Sequence, residues 1–152
     1  MGERLLAVAR CVEGDVVADV GSDHGLLAAW LLRTGRRVIC VEKHRGPYER
    51  TLRAVPRATV LLGDGLCYDE PVDCLCMCGF GAPSMVGVLT RGRSRVPPLV
   101  VVQPHRDPTL LWEWAASEGF AVRCFEAGKF PVFVMRSIAP NGSGGSPGIM
   151  KA

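Results

Sequence analysis

Residues 16–32 read VVADVGSDHGLLAAWLL and join a short apolar run to a helix-like segment. The first five residues have the length and apolar character of a buried strand. The segment after residue 25 is rich in leucine and alanine, which favour helix. Between them lies the glycine-containing turn GSDHG, residues 21–25. Strand, glycine turn and helix in this order are typical of the first unit of an α/β domain.

The remainder of the chain repeats the alternation of apolar strand and helix-patterned segment. Further strands are predicted at 37–42, 58–63, 72–78, 98–103, 120–126 and 131–137. Helices are predicted at about 3–12, 25–34, 47–54, 83–90 and 108–118, the last with Asp107 as N-cap and Pro108 as N1. Because the predicted strands are almost wholly apolar, they indicate a parallel sheet covered on both faces.

The last two predicted strands have too little chain between them for a parallel crossover. Only AGKF, residues 127–130, separates them, so they are expected to pair antiparallel. The predicted fold is therefore a doubly wound, Rossmann-like α/β sheet of seven strands, mostly parallel with the last strand antiparallel. Class I methyltransferases that use S-adenosylmethionine have this arrangement.

Length and composition indicate one globular domain. The chain has 152 residues, of which 48% are hydrophobic and 22% charged. We expect a domain at 1–138 and a flexible Gly/Ser/Pro-rich tail at 139–152. The apolar runs are too short for a membrane span and no secretion signal is evident, which predicts a cytoplasmic protein without membrane contact. The net charge of +3 permits a nucleic-acid partner without requiring one.

The seven cysteines do not form a disulfide pattern, because their number is odd and no CxxC pair occurs. Cys74, Cys76 and Cys78 alternate and are expected on one face of a strand. Neighbouring thiols on one face would lie about 7 Å apart, too far for one tetrahedral ion. We therefore expect core packing and no metal.

The glycines of the first turn are spaced G-x-x-x-G, unlike the G-x-G-x-x-G of pyrophosphate binders. This difference favours a phosphate-free ligand such as S-adenosylmethionine, and it weighs against a nicotinamide cofactor. Acids at the turn would suit the cationic sulfonium and amino-acid head of S-adenosylmethionine. Asp19 and Asp23 are the candidates, with Gly21 and Ser22 between them. Asp23 as a helix N-cap and Asp19 as a turn-fixing acid are the structural alternatives.

Later strand ends add cofactor candidates. Glu42 ends the second predicted strand, where an acid can accept hydrogen bonds from both ribose hydroxyls. Asp64 could accept from the adenine amine while Gly65 packs on the ring, although a plain Asp-Gly turn is also consistent. The complete predicted cofactor set is Asp19, Gly21, Ser22, Asp23, Glu42, Lys43, Asp64, Gly65, Cys78 and Gly79.

Five blocks of sequence together resemble the TrmK family of bacterial tRNA (adenine22-N1)-methyltransferases. They are ADVGSDHGLL, VEKHRGPYERT, LLGDGL, CGFGA and LVVVQPHRDPTLLWEWAASEGF, spread over roughly residues 4–137. The resemblance implies methyl transfer from S-adenosylmethionine to N1 of a tRNA adenine. This chain has Phe80 and Ala82 where the family usually has Met and Gly, and His105 where it usually has Asn. It also has only the tail where the family carries a helical C-terminal extension.

Within this resemblance, three residues are candidates for catalysis. Asp23 would stabilise the positive charge of the methylated base, while His24 and Gln103 would contact the base edge. A structural role for His24 is equally consistent. Four residues on the active rim are candidate RNA contacts: Lys43, Arg45, His105 and Arg106. The basic run RGRSR, residues 91–95, is expected on the opposite side of the sheet. Methylation of another RNA or a small molecule, or cofactor binding without catalysis, are the alternative functions.

Overall fold

A computed structural model describes residues 2–22 and 24–138 of the chain. In this part the strands are β1 (Val16–Val20), β2 (Arg37–Glu42), β3 (Thr59–Leu62), β4 (Cys74–Cys78), β5 (Leu99–Gln103), β6 (Phe120–Ala127) and β7 (Phe130–Ser137). The α-helices are α1 (Glu3–Ala9), α2 (Leu26–Arg33), α3 (Arg45–Ala54), α4 (Ala82–Arg91) and α5 (Thr109–Glu118). The tail predicted at 139–152 lies outside the described residues.

The strands form one sheet in the order β3-β2-β1-β4-β5-β7-β6. Strands β1 to β5 pair in parallel. Strand β7 is antiparallel to both β5 and β6. This topology confirms the predicted class I methyltransferase sheet. The strand order reverses beside β1, between β2 and β4, where open α/β sheets bind their ligands.

Helices cover both faces of the sheet and bury two hydrophobic clusters. On one face α4 and α5 pack against a cluster that includes Met77 and Phe133. On the other face α1 and α2 pack against a cluster that includes Cys74 and Cys76. Cys74 and burial together raise the pKa of the Cys76 thiol well above its ordinary value. Cys74 and Cys76 are fully buried, as core packing predicts, whereas Cys78, the third cysteine of the alternating set, is half-buried.

Two local features differ from the predicted elements. Helix α5 begins at Thr109, after Pro108, so Asp107 is not its N-cap. Asp107 instead has a positive φ of 53° and its carboxylate lies 3.4 Å from Arg106 Nε. A short 3₁₀ turn at Arg93–Arg95, which was not predicted, connects α4 to β5.

Two further kinds of feature are absent from residues 2–22 and 24–138. No helix there is long and apolar enough to cross a membrane. No cluster of three or more His, Cys, Asp or Glu side chains there could hold a metal ion.

Candidate active site

A cavity of about 700 Å³ opens at the carboxyl ends of β1, β2 and β4. It lies at the point where the strand order reverses. The predicted site residues that line it are Asp19, Gly21, Ser22, His24, Glu42, Lys43, Asp64, Gly65, Cys78 and Gly79. Asp23, predicted for both cofactor binding and catalysis, lies outside the described residues.

Asp19 is a buried acid at the floor of the cavity, with 3% of its surface exposed. It pairs across the sheet with Cys40 on one side and Cys76 on the other. Burial raises the pKa of Asp19 to about 7, and the nearby Glu42 carboxylate adds to this rise. Its Oδ2 atom has no hydrogen-bond partner among the described residues. A buried carboxylate oxygen without a hydrogen-bond partner favours a ligand that supplies a hydrogen-bond donor.

The turn after β1 depends on glycine at both of its ends. Gly21 has φ 75° and Gly25 has φ 69°, the left-handed region that side chains rarely adopt. A Cβ on Gly21 would lie 3.0 Å from the Phe80 ring, so the ring packs tightly over the turn. Ser22 Oγ is buried without a hydrogen-bond partner among the described residues. The turn therefore adds a second polar atom suited to a ligand.

Glu42 ends β2 as a second buried acid, also 3% exposed. The Thr51 hydroxyl, fully buried on α3, donates to Glu42 Oε2 at 2.7 Å. The Glu42 backbone carbonyl accepts from the Gly63 amide at 2.9 Å, which joins this strand end to the turn that carries Asp64. The carboxylate is thus held in a fixed orientation at the cavity wall. Sequence reasoning missed Thr51, because nothing in its position on α3 marks it as a partner of Glu42.

Asp64 makes an ion pair that the sequence did not predict. Its Oδ1 lies 3.5 Å from the Arg91 guanidinium, and Arg91 also lines the cavity. The expectation that the whole run 91–95 lies away from the cofactor is therefore wrong for Arg91. The signal that could have found it is the helical spacing of Ser84, Gly87, Val88 and Arg91, which places all four on the cavity face of α4.

The loops after β4 and β5 form one bonded rim. The His105 amide donates to the Phe80 carbonyl at 3.0 Å, and the Ala82 amide donates to the Arg106 carbonyl at 2.9 Å. A Cβ on Gly81 would lie 3.5 Å from the Arg106 guanidinium. Arg106 is therefore held against the glycine loop, as its predicted place on the active rim requires.

Gln103 is not at the cavity, which corrects its predicted contact with a base. It is fully buried, and its amide nitrogen donates to the carbonyls of Ala127 at 3.2 Å and Phe130 at 3.0 Å. His105 stacks on Phe130 with ring centroids 4.0 Å apart, and its Nε2 is buried. Burial and then Arg4 lower the pKa of His105. These two side chains hold the β6–β7 hairpin. The RNA contact expected of His105 stays a prediction, and it would not use Nε2, which is buried.

The remaining predicted RNA contacts, Lys43 and Arg45, both lie between the end of β2 and the start of α3. Lys43 lines it and is exposed. Arg45 lies outside the lining, exposed at the start of α3, and its guanidinium is 3.9 Å from Glu49. Arg4 on α1 also lines the cavity and was not predicted. No sequence signal distinguishes Arg4, because α1 reads only as an amphipathic helix.

Comparison with known proteins identifies the family. Residues 1–126 match the family model described as a methyltransferase domain. The ribosomal RNA small subunit methyltransferase A of Phenylobacterium zucineum is 40% identical over 70 residues. Among solved structures, Bacillus subtilis m1A22 tRNA methyltransferase TrmK matches with a TM-score of 0.81 and 24% identity over 90% of this chain. Streptococcus pneumoniae Sp1610, a candidate tRNA (m1A22) methyltransferase, matches with a TM-score of 0.78 and 26% identity over 94% of this chain.

The chain is shorter than each of these proteins. The 70-residue match is 44% of this chain and 25% of the Phenylobacterium protein. The chain spans 66% of the Bacillus structure and 73% of the Streptococcus structure. The resemblance to TrmK proteins is confirmed by these neighbours, and the expectation of a methyltransferase is confirmed by the family match. The chain belongs to the methyltransferase domain family.

Proposed function

We propose that this methyltransferase uses S-adenosylmethionine to methylate N1 of an adenine in tRNA. The observation that carries the proposal is that Asp19, Glu42 and Asp64 all line one cavity. Each lies at or just beyond the carboxyl end of one of three neighbouring strands. An acid at each of these three places suits a cationic adenosine ligand better than a pyrophosphate. The relatives described as tRNA (m1A22) methyltransferases support the choice of reaction.

The cavity residues fit the parts of S-adenosylmethionine separately. Asp19 Oδ2 and Ser22 Oγ have no hydrogen-bond partner in the described part of the chain. Both would form hydrogen bonds with the amino-acid head of the cofactor. Arg4, at the same cavity, would attract the carboxylate of that head. Glu42, held by Thr51, would accept from the ribose hydroxyls.

The adenine end of the cofactor would lie at the wall built by the turn after β3 and by α4. Asp64 would accept from the adenine amine, and Gly65 and Val88 would contact the ring. The exposed ion pair between Asp64 and Arg91 is weak in water, so the carboxylate can exchange that partner for the amine.

The reaction asks the protein mainly for orientation. Bound S-adenosylmethionine would supply a methyl group on a sulfonium, which the in-plane lone pair of neutral adenine N1 can accept without a strong base. Phe80 and Gly79 line the end of the cavity beside the β5 loop. There they would hold the base in line with the bond between the sulfur and the methyl group. His24 lines the cavity and stays a candidate for the base edge. A carboxylate at Asp23 would stabilise the positive charge on the methylated base.

The tRNA substrate carries two further consequences. N1 lies on the Watson–Crick edge, so the target adenine is expected to be unpaired or turned out of its helix. Methylation of tRNA also places the protein in the cytoplasm, where bacterial tRNA is processed. The Phenylobacterium relative acts on ribosomal RNA by its description, which makes a ribosomal RNA substrate the second candidate.

The first test is calorimetric titration of S-adenosylhomocysteine into the wild type, Glu42→Ala and Glu49→Ala. Glu49 is a matched control because it is an exposed acid on α3 that faces Arg45. We expect Glu42→Ala alone to weaken binding, by about tenfold or more, since it removes an acceptor held in place for the ribose.

The second test is transfer of a tritiated methyl group to unmodified bacterial tRNA and to ribosomal RNA. We expect label in tRNA that digests to 1-methyladenosine. Label in ribosomal RNA alone would replace the tRNA substrate by the second candidate. Absence of both binding and label would refute the proposed cofactor and reaction together.

A further inference from the structure

We infer that the tip of the β6–β7 hairpin is an RNA-contacting wall of the active site and that Lys129 binds a backbone phosphate there. The inference rests on the proposed function, because it names how an RNA substrate would be held. The sequence analysis assigned no role to Lys129.

The sheet topology places this tip on the active edge. Strand β7 is antiparallel to β5, and β6 is antiparallel to β7, so β6 runs in the same direction as β5. The turn after β6 therefore lies at the edge where β5 ends and its loop carries Arg106. Glu42, which ends β2, and Asp64, which follows β3, are the acids proposed to bind adenosine, and they lie on the other side of β1. The hairpin tip thus lies at the same edge of the sheet as the cavity, with β7 two strands beyond β4 on the side away from Glu42 and Asp64.

The turn itself is short and stiff. Ala127 pairs with Phe130, which leaves the two residues Gly128 and Lys129 to close the hairpin. Gly128 has φ 73° and Lys129 does not have a positive φ, the pattern of a two-residue turn with glycine first. Such a turn projects the side chain of Lys129 from a fixed backbone.

A buried side chain, Gln103, and a half-buried one, His105, hold the tip against the β5 loop. Gln103 donates to the carbonyls of both Ala127 and Phe130, the residues on either side of the turn. The His105 ring stacks on Phe130 at 4.0 Å with an interplanar angle of 14°. A fully buried glutamine is uncommon, and here its amide holds a turn in place over the rim. These hydrogen bonds and the ring stacking join the hairpin tip and the loop that carries Arg106 into one rigid surface.

This surface carries two exposed cations, Lys129 and Arg106, and two exposed acids, Glu126 and Asp107. Lys129 is exposed, and it has no carboxylate within ion-pair distance among residues 2–22 and 24–138. Arg106 has 72% of its side chain exposed and lies 3.4 Å from the Asp107 carboxylate. Glu126 is the acid nearest to Lys129 in sequence, and it is exposed at the end of β6. An exposed cation beside a methyl-transfer site is suited to a phosphate that flanks the target base.

The test measures binding of an unmodified bacterial tRNA transcript, with S-adenosylhomocysteine present, at a series of salt concentrations. The variants are Lys129→Ala, Lys129→Arg and Arg33→Ala. Arg33 is the matched control, an exposed cation in the last turn of α2, at the opposite edge of the sheet. Calorimetry with S-adenosylhomocysteine alone checks that the cofactor site is intact in each variant.

We expect Lys129→Ala to weaken tRNA binding by up to about fivefold and to reduce the slope of log K against log salt by about 1. Lys129→Arg and Arg33→Ala should bind tRNA like the wild type, and all variants should bind S-adenosylhomocysteine equally.

Three results would overturn the inference. Wild-type tRNA binding by Lys129→Ala, with methyl transfer retained, would reject the hairpin contact and leave the proposed function in place. An equal loss in Arg33→Ala would mean that only net charge matters. A wild-type protein that binds no tRNA at any salt concentration would reject the contact and the tRNA substrate together.

Discussion

At the scale of single residues, the buried acid Asp19 makes folding stability depend on pH. Its pKa is raised from 3.8 to about 7, chiefly by burial, so the folded state retains a proton that the unfolded state loses. The contribution of Asp19 to the free energy of unfolding is therefore fully present below about pH 4. It is lost as the pH rises to about 7, and above that pH it no longer changes. The difference corresponds to a free energy on the order of 4 kcal/mol.

Asp19→Asn is expected to remove this pH dependence, because an amide does not ionise. The ligand-free variant should be more stable than the wild type at pH 8, and the gain should shrink as the pH falls to 5. Urea unfolding at both pH values measures the difference. The same variant should bind S-adenosylhomocysteine more weakly. Parallel stability curves for the two proteins would show that Asp19 is already ionised in the fold.

Thr51 is expected to act on the cofactor through Glu42. Thr51→Val keeps the volume and removes the 2.7 Å hydrogen bond, so the affinity for S-adenosylhomocysteine should fall by about tenfold. Thr51→Ser should retain the wild-type affinity. A 2′,3′-dideoxy analogue lacks the hydroxyls that Glu42 would bind, and it should bind the wild type and Thr51→Val equally. A loss of the same size for both ligands would indicate general disruption of the cavity.

At the scale of elements, the sequence predicts strand-end residues well and side-chain partners poorly. Asp19, Glu42 and Asp64 meet because parallel strands bring their carboxyl ends to one edge, which the alternation of strand and helix already implies. The partner of Gln103 could not be predicted in this way. The two carbonyls that accept from Gln103 belong to residues 24 and 27 positions further along the chain, and only the packing of the β6–β7 hairpin brings them close.

Gln103→Leu tests whether this side chain fastens the hairpin or serves the site. Two carbonyls would lose their donor, which costs roughly 1 to 3 kcal/mol of stability. Backbone amides of β6 and β7 should then exchange with deuterium faster than in the wild type, and this increase should exceed any increase in β1 and β4. Affinity for S-adenosylhomocysteine should stay within about twofold of the wild type, since Gln103 does not line the cavity. Weaker cofactor binding with unchanged exchange would return Gln103 to the active site.

At the scale of the whole molecule, the cavity is lined by elements from both faces of the sheet. The cavity lining includes Arg4 from α1, Glu42 from β2 and Val88 from α4, so an occupied cavity ties together both hydrophobic clusters. A ligand that binds only the folded chain raises the free energy of unfolding by about 2.7 kcal/mol at one hundred times its dissociation constant.

S-Adenosylhomocysteine at that concentration is therefore expected to raise the melting temperature by about 5 to 10 °C, in a single transition. Glu42→Ala should show a smaller rise at the same ligand concentration. NADH should give no rise, because the turn at 21–25 lacks the glycine pattern of a pyrophosphate binder. Differential scanning calorimetry separates the possibilities. A rise with NADH and none with S-adenosylhomocysteine would assign the cavity to a nicotinamide cofactor, whereas two separate transitions would show that the clusters unfold independently.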